Sequence, residues 1–263
     1  LRVARAYSKR DEFIMIEGGY HGVSDSVLWD IDLDEWDPNV GSPVLASSSL
    51  GVPKHNGEML HLVPMNDASR LEDLLKEKHN DIGALLIEPI LGNCCSIAAT
   101  QEYMNAVRSL CDKYNVVLII DEVKTGFRVA KGGVQELYGI DADLCTYAKS
   151  IANGYPISAI CGKEELMRII KYGGVLHGGT FTAHSVALSA ANKTLDILQN
   201  TDALKTVNDY GQALKDGVSK ILSNHDIPHT FTGHPSMSGL FLSEKVPTNA
   251  RDFKASNYPF YEK

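Results

Sequence analysis

Three short stretches of the 263-residue chain join polar side chains to glycine turns in patterns that can do chemistry. Gly18-Gly19-Tyr20-His21-Gly22 sets an aromatic ring and an imidazole on a tight turn. Asp121-Glu-Val-Lys-Thr-Gly-Phe-Arg128 sets a carboxylate at the end of an apolar run, just before a glycine. Lys149 stands in Ala148-Lys-Ser-Ile-Ala-Asn-Gly-Tyr-Pro156, among small and apolar neighbours. That setting predicts partial desolvation, which lowers an amine's pKa and makes it nucleophilic. A carboxylate held off water can keep a heterocyclic nitrogen protonated, as an electron-sink cofactor requires. Tyr20 can stack on a planar ring, and Gly178-Gly179-Thr180 offers backbone N–H groups and a hydroxyl to a phosphate. None is diagnostic alone. An isolated Lys149 reads as a surface lysine, Asp121 as a turn or cap residue, and His21 as a turn histidine satisfied by backbone. Taken together they describe a site for pyridoxal 5′-phosphate.

These residues need a scaffold, and the hydrophobic pattern supplies one. Residues 82–87 and 116–120 are continuous apolar runs separated by an amphipathic helical pattern over 101–113. Such a βαβ unit implies parallel strands buried on both faces, with Glu88 and Asp121 at the carboxyl ends where open α/β sheets place ligands. Further strands are expected at 13–17, 60–64, 158–161 and 237–242. Helices are expected after Asn66-Asp67 and over 164–171, 185–199 and 202–222. Residues 29–57, rich in Asp, Pro, Ser and Gly, read as one long loop. The fold class is therefore α/β, with a mostly parallel central sheet flanked by helices. Residues 1–199 are expected to form the cofactor-binding large domain. Residues 200–263 are expected to form a linking helix and the start of a small α+β C-terminal domain.

Composition bounds the partners. With 25 Lys+Arg against 33 Asp+Glu the formal net charge is −8, and no basic run exists, which argues against nucleic acid or an anionic membrane as the main partner. No apolar stretch approaches the roughly 20 residues of a membrane span. Five cysteines without regular spacing read as reduced thiols of a cytoplasmic protein. Cys94-Cys95 lacks a second pair or a neighbouring His, so no metal site is expected. The first residues read as helix without a capping residue, and residues 249–263 run out without a terminator, so the chain is expected to be a piece of a longer one.

The motifs also carry a resemblance. Gly19-Tyr-His-Gly22, Ser48-Ser-Leu-Gly-Val-Pro53, Asn66-Asp67, Glu88-Pro89 with Gly92-Asn93, the Asp121–Arg128 block, Gly132-Gly-Val-Gln135, Lys149 and Gly179-Thr180 resemble the class III, fold type I, pyridoxal-phosphate aminotransferases. Within that family the pattern is most similar to the glutamate-1-semialdehyde aminomutase branch, which makes the tetrapyrrole precursor 5-aminolevulinate. The resemblance implies that Lys149 carries the cofactor covalently and moves protons at the substrate carbon, while Asp121 hydrogen-bonds the pyridine nitrogen. It implies that Tyr20 stacks on one ring face and Val123 packs on the other, with Asn93 near the ring hydroxyl and His21 shaping the pocket. It implies a homodimer in which Gly179 and Thr180 serve the partner's cofactor phosphate, and a gating role for the 29–57 loop. The family's main phosphate cradle lies upstream of the position of Leu1, so this piece alone is expected to retain cofactor weakly. Departures bear on the substrate: Leu176-His-Gly-Gly-Thr180 and Ala152-Asn-Gly-Tyr-Pro156 differ from the aminomutase pattern. Lys124 replaces the Met of that branch and the Gln of ω-aminotransferases. The alternatives are therefore an aminotransferase passing an amino group to a keto acid, or a non-catalytic binding protein on the same fold.

Overall fold

The computed structural model describes residues 1–32 and 44–255. Positions 33–43 of the expected loop, and the C-terminal domain expectation beyond 255, lie outside the described residues.

The central sheet runs in the order Ala159–Gly162, Leu144–Tyr147, Val117–Asp121, Ile82–Ile87, Glu12–Ile16, Leu60–Val63. Every pairing is parallel except that of Ala159–Gly162, which is antiparallel to Leu144–Tyr147. The apolar runs are continuous because both faces are covered. Ile14, Ile16, Leu85, Ile87, Leu118 and Ile120 face one core cluster, while Phe13, Met15, Ala84, Leu86, Val117 and Ile119 face another. That is the two-residue strand period expressed on two buried surfaces.

Local chemistry sets the helices that cover the sheet. Ala68–Lys78 starts at Asp67, whose carboxylate accepts the Arg70 N–H at 2.9 Å. Gln101–Tyr114 starts at Thr100, whose hydroxyl accepts the Tyr103 N–H at 3.1 Å, and ends at Asn115 in the left-handed region (φ 53). Such caps satisfy amide groups that the helix cannot, and side chains three and four apart then line the buried face. In Gln101–Tyr114 these are Tyr103, Met104, Val107, Leu110 and Cys111.

Two expectations are corrected. Residues 29–57 are not one loop: Trp29–Asp32 and Val44–Ser47 pair as antiparallel strands, and Lys54–Met59 is a 3₁₀ turn. The alternation of Trp29 and Ile31, buried between half-buried aspartates, is a strand period hidden in a polar stretch. The helix expected over 164–171 is only Glu164–Met167; the chain then turns through Lys171-Tyr172-Gly173-Gly174, where Gly173 adopts φ 78.

Helices Ser185–Asn200 and Ala203–Asn224 lead to a hairpin, Thr230–His234 with Met237–Phe241, and a short helix, Ala250–Ala255. This last segment packs on the main sheet. Phe241, Ala250 and Phe253 join the cluster around Ile14 and Leu118, and Arg251 pairs with the Glu17 carboxylate through Nε at 2.8 Å and Nη2 at 2.6 Å. Among the described residues, no helix is long and apolar enough to cross a membrane.

Candidate active site

The carboxyl ends of the parallel strands gather the chemistry. Asp121 is the last residue of its strand and is 7% exposed. Its Oδ2 accepts from His21 Nδ1 at 2.7 Å; its Oδ1 accepts the Val123 N–H at 3.0 Å and the Thr146 hydroxyl at 3.1 Å. Burial is the largest influence on this carboxyl and opposes ionisation. The hydrogen bonds from His21, Val123 and Thr146 outweigh it together and hold the pKa below the usual aspartate value. Asp121 is thus an ionised carboxylate inside the fold. Thr146 did not stand out in the sequence; its role follows from strand register, which sets it opposite Asp121.

His21 is held by a side chain rather than by backbone. Its ring is 2% exposed, and with Nδ1 donating to Asp121 its Nε2 is buried without a partner among the described residues. Gly19 makes room for it: a Cβ at that position would lie 3.0 Å from Nε2 and 2.9 Å from the Ile16 carbonyl. Tyr20, next to it, is 42% exposed. Its N–H donates to Glu88 Oε2 at 2.9 Å. Glu88 is buried, and burial raises its pKa although His21, Lys124 and the Tyr20 amide favour its charged form. Its Oε1 lies 3.2 Å from Lys124 Nζ, which also donates to Asn93 Oδ1 at 2.9 Å.

Behind Asp121, Glu122 is wholly buried and accepts from the Thr125 hydroxyl at 2.6 Å, the Val134 N–H at 3.1 Å and the Gln135 N–H at 3.3 Å. It caps the helix Gly133–Tyr138, and a Cβ at Gly133 (φ +67) would fall 2.4 Å from its carboxylate oxygens. Burial raises its pKa as well. The Asp121–Arg128 block is therefore anchored at its second residue and free to present its first.

Lys149 follows the next strand, in the left-handed region (φ 47), at the start of the 3₁₀ turn Lys149–Ile151. The predicted desolvation is not found. Lys149 is exposed, and its ammonium meets no acceptor among the described residues. The small neighbours that suggested an apolar pocket, Ala148, Ala152 and Gly154, are too short to cover a long side chain. Arg128 links this turn to the Asp121 block, donating from Nη2 to Ser150 Oγ at 3.0 Å and from Nε to the Lys124 carbonyl at 2.9 Å.

The structure thus bonds His21 and Val123 to Asp121, and joins Tyr20 and Asn93 in a second group through Glu88 and Lys124. The two groups adjoin because Tyr20 precedes His21 and Lys124 follows Val123, and Lys149 follows the adjoining strand. Gly179 and Thr180 stand apart. Both are exposed, in the stretch between Lys171 and His184, and neither is hydrogen-bonded to the Asp121 network. Among the described residues, no three His, Cys, Asp or Glu side chains are grouped to hold a metal ion.

Comparison with known proteins gives this geometry a context. Residues 1–257 match the family described as Aminotransferase class-III. The chain is 36% identical over 250 residues to a glutamate-1-semialdehyde 2,1-aminomutase of Methanothrix thermoacetophila, covering 95% of this chain and 56% of that protein. It is 34% identical over 267 residues to that of Neisseria gonorrhoeae, covering 100% of this chain and 60% of the relative. The chain therefore spans somewhat over half the length of these relatives. In fold it is similar to an omega-transaminase from Sphaerobacter thermophilus (TM-score 0.87, 27% identity, 95% of this chain and 58% of that one). It is also similar in fold to a glutamate-1-semialdehyde aminomutase from Pseudomonas aeruginosa (TM-score 0.81, 23% identity, 97% and 57%).

Proposed function

The chain belongs to the class-III aminotransferase family, to which residues 1–257 match, and from that premise we propose that the full protein moves an amino group with pyridoxal 5′-phosphate bound at the strand ends around Asp121. The observation that carries this reading is the Asp121 carboxylate, buried and oriented by His21, Val123 and Thr146, on the strand beside the one that leads to Lys149. A desolvated anion of this kind fits a protonated ring nitrogen, and its three protein donors fix its plane before any ligand arrives. When bound, pyridoxal phosphate supplies an electron sink for charge that develops at the substrate carbon.

The chain's own residues have separable tasks. Asp121 holds a proton on the ring nitrogen. Tyr20 and Val123 would bracket the ring and Asn93 would face its hydroxyl, while His21 fixes the Asp121 carboxylate. Lys149 Nζ would hold the cofactor and would move the proton at the substrate carbon. Its exposure here is compatible with a site whose remaining wall comes from elsewhere in the full protein. We place Gly179 and Thr180 at the cofactor phosphate of a partner subunit in a homodimer; exposed Leu176 and Phe181 on the same stretch, each 79% accessible, support an interface there. Residues 200–263 then link to, and open, a smaller domain. The free thiols of all five cysteines fit a cytoplasmic setting.

For the substrate, the relatives' names favour conversion of glutamate 1-semialdehyde to 5-aminolevulinate. The full-length protein is expected to show the visible absorption of lysine-bound cofactor, lost in Lys149→Ala, and to form 5-aminolevulinate with no added keto acid. Strict dependence on an amino acceptor would favour the aminotransferase alternative. Failure to take up pyridoxal phosphate at all would leave only the binding-protein reading.

A further inference from the structure

Lys124 is the residue of the Asp121 block that matches neither family branch, and it sits where several loops meet. Its stem runs along Gly92 so closely that a Cβ there would come 2.3 Å from Lys124 Cδ. Its ammonium lies 3.2 Å from Glu88 Oε1, 2.9 Å from Asn93 Oδ1 and 5.4 Å from the centre of the Tyr20 ring. The side chain is 15% exposed and that of Glu88 2%. These partners come from the turn after Glu12–Ile16, the end of Ile82–Ile87, and the turn between the short strands Ile90–Leu91 and Ile97–Ala98.

From this arrangement we infer that Lys124 is a positioning residue, acting through Tyr20 and Asn93 to set the walls of the cofactor pocket; the inference rests on the cofactor reading above. An ammonium has three donors, and here two oxygens and a ring face engage it, which leaves little to offer a substrate carboxylate. Its grip on Tyr20 is double. The charge draws the ring face directly, and it also balances the buried Glu88, whose other oxygen holds the Tyr20 N–H at 2.9 Å. A neutral side chain at 124 loses the ring contact and leaves Glu88 a buried carboxylate without a cation, so the Tyr20 turn and the Asn93 turn lose their common anchor.

The test uses the full-length protein and pyridoxal phosphate itself, titrated into the cofactor-free form of wild type, Lys124→Met, and Lys124→Met with Glu88→Gln. Lys124→Met is expected to weaken cofactor binding by about tenfold and to reduce the visible circular dichroism of the bound cofactor, because truncating one partner of a buried pair strands the other. The double variant, in which a neutral amide still accepts from Tyr20, is expected to return binding to within about threefold of wild type. Lys124→Gln serves the same purpose where the methionine variant folds poorly. Affinity within twofold of wild type and unchanged dichroism in the single variant would overturn the proposal. So would a double variant as weak as the single one, which would mark Lys124 as general packing. A wild-type protein that takes up no pyridoxal phosphate, or a Lys149→Ala variant that keeps the visible band, would instead overturn the cofactor reading and this inference with it.

Discussion

Two helices of similar pattern have opposite fates. Gln101–Tyr114 and Ala203–Asn224 are both amphipathic, yet the first buries five side chains and the second none. In the second, Val207, Tyr210, Leu214 and Ile221 are between 50% and 75% exposed. The first helix lies between the parallel strands it connects, and right-handed crossover geometry lays its apolar face on the sheet. No such constraint acts on the second. Periodicity selects which face of a helix is apolar; only the surroundings decide what covers it.

The contrast can be broken by truncation. Leu118→Ala in the sheet, where the side chain is fully buried, is expected to cost about 2–5 kcal/mol. Leu214→Ala, at 67% exposure, is expected to stay within about 0.5 kcal/mol. Urea unfolding of both variants measures the pair; equal losses would abolish the distinction between the two regions.

A second test concerns the site that the packed region carries. Asp121→Asn is expected to lose about 2 kcal/mol of stability near neutral pH, the scale of hydrogen bonds to a charged group. Because the folded pKa of Asp121 is lowered, the stability tied to its charge is present above the ordinary aspartate value, near 3.9, and is lost as pH falls through the lower folded value. The gap between wild type and variant should close as pH falls below about 4. Glu88 and Glu122 have the opposite sign: burial raises their pKa, so they add stability when protonated and lose it as pH rises through their raised values.

Helix starts sharpen the comparison further. Thr100→Ala removes a cap bond of the packed helix and is expected to cost about 1 kcal/mol. Asp202, at the start of the exposed helix, makes no side-chain cap bond, so Asp202→Ala should change the urea midpoint little. The smallest effect is expected at Arg168, whose pair with Glu164 is 75% exposed on both sides. Arg168→Ala should cost at most about 0.5 kcal/mol, and less as salt is added.

Much of the site was legible because its parts are local. An apolar run that stops at a carboxylate marks a strand end, so Glu88 and Asp121 were placed by their neighbours alone. The trough of Asp, Pro and Ser around Trp29 hid a strand because only Trp29 and Ile31 carry its period. The burial expected of Lys149 is not found for a related reason: small neighbours resemble an apolar pocket in sequence but enclose little volume.

The sequence by itself determined the parallel sheet, its capped helices and the identity of the residues at the strand ends. These depend on side-chain period and on bonds within a few positions. The tertiary structure alone decided that His21 meets Asp121 across 100 positions, that Arg251 meets Glu17 across 234, and that Lys124 draws Glu88, Asn93 and Tyr20 together. Such contacts join segments far apart in the chain. Their partners are set by strand order and register, which no local pattern encodes.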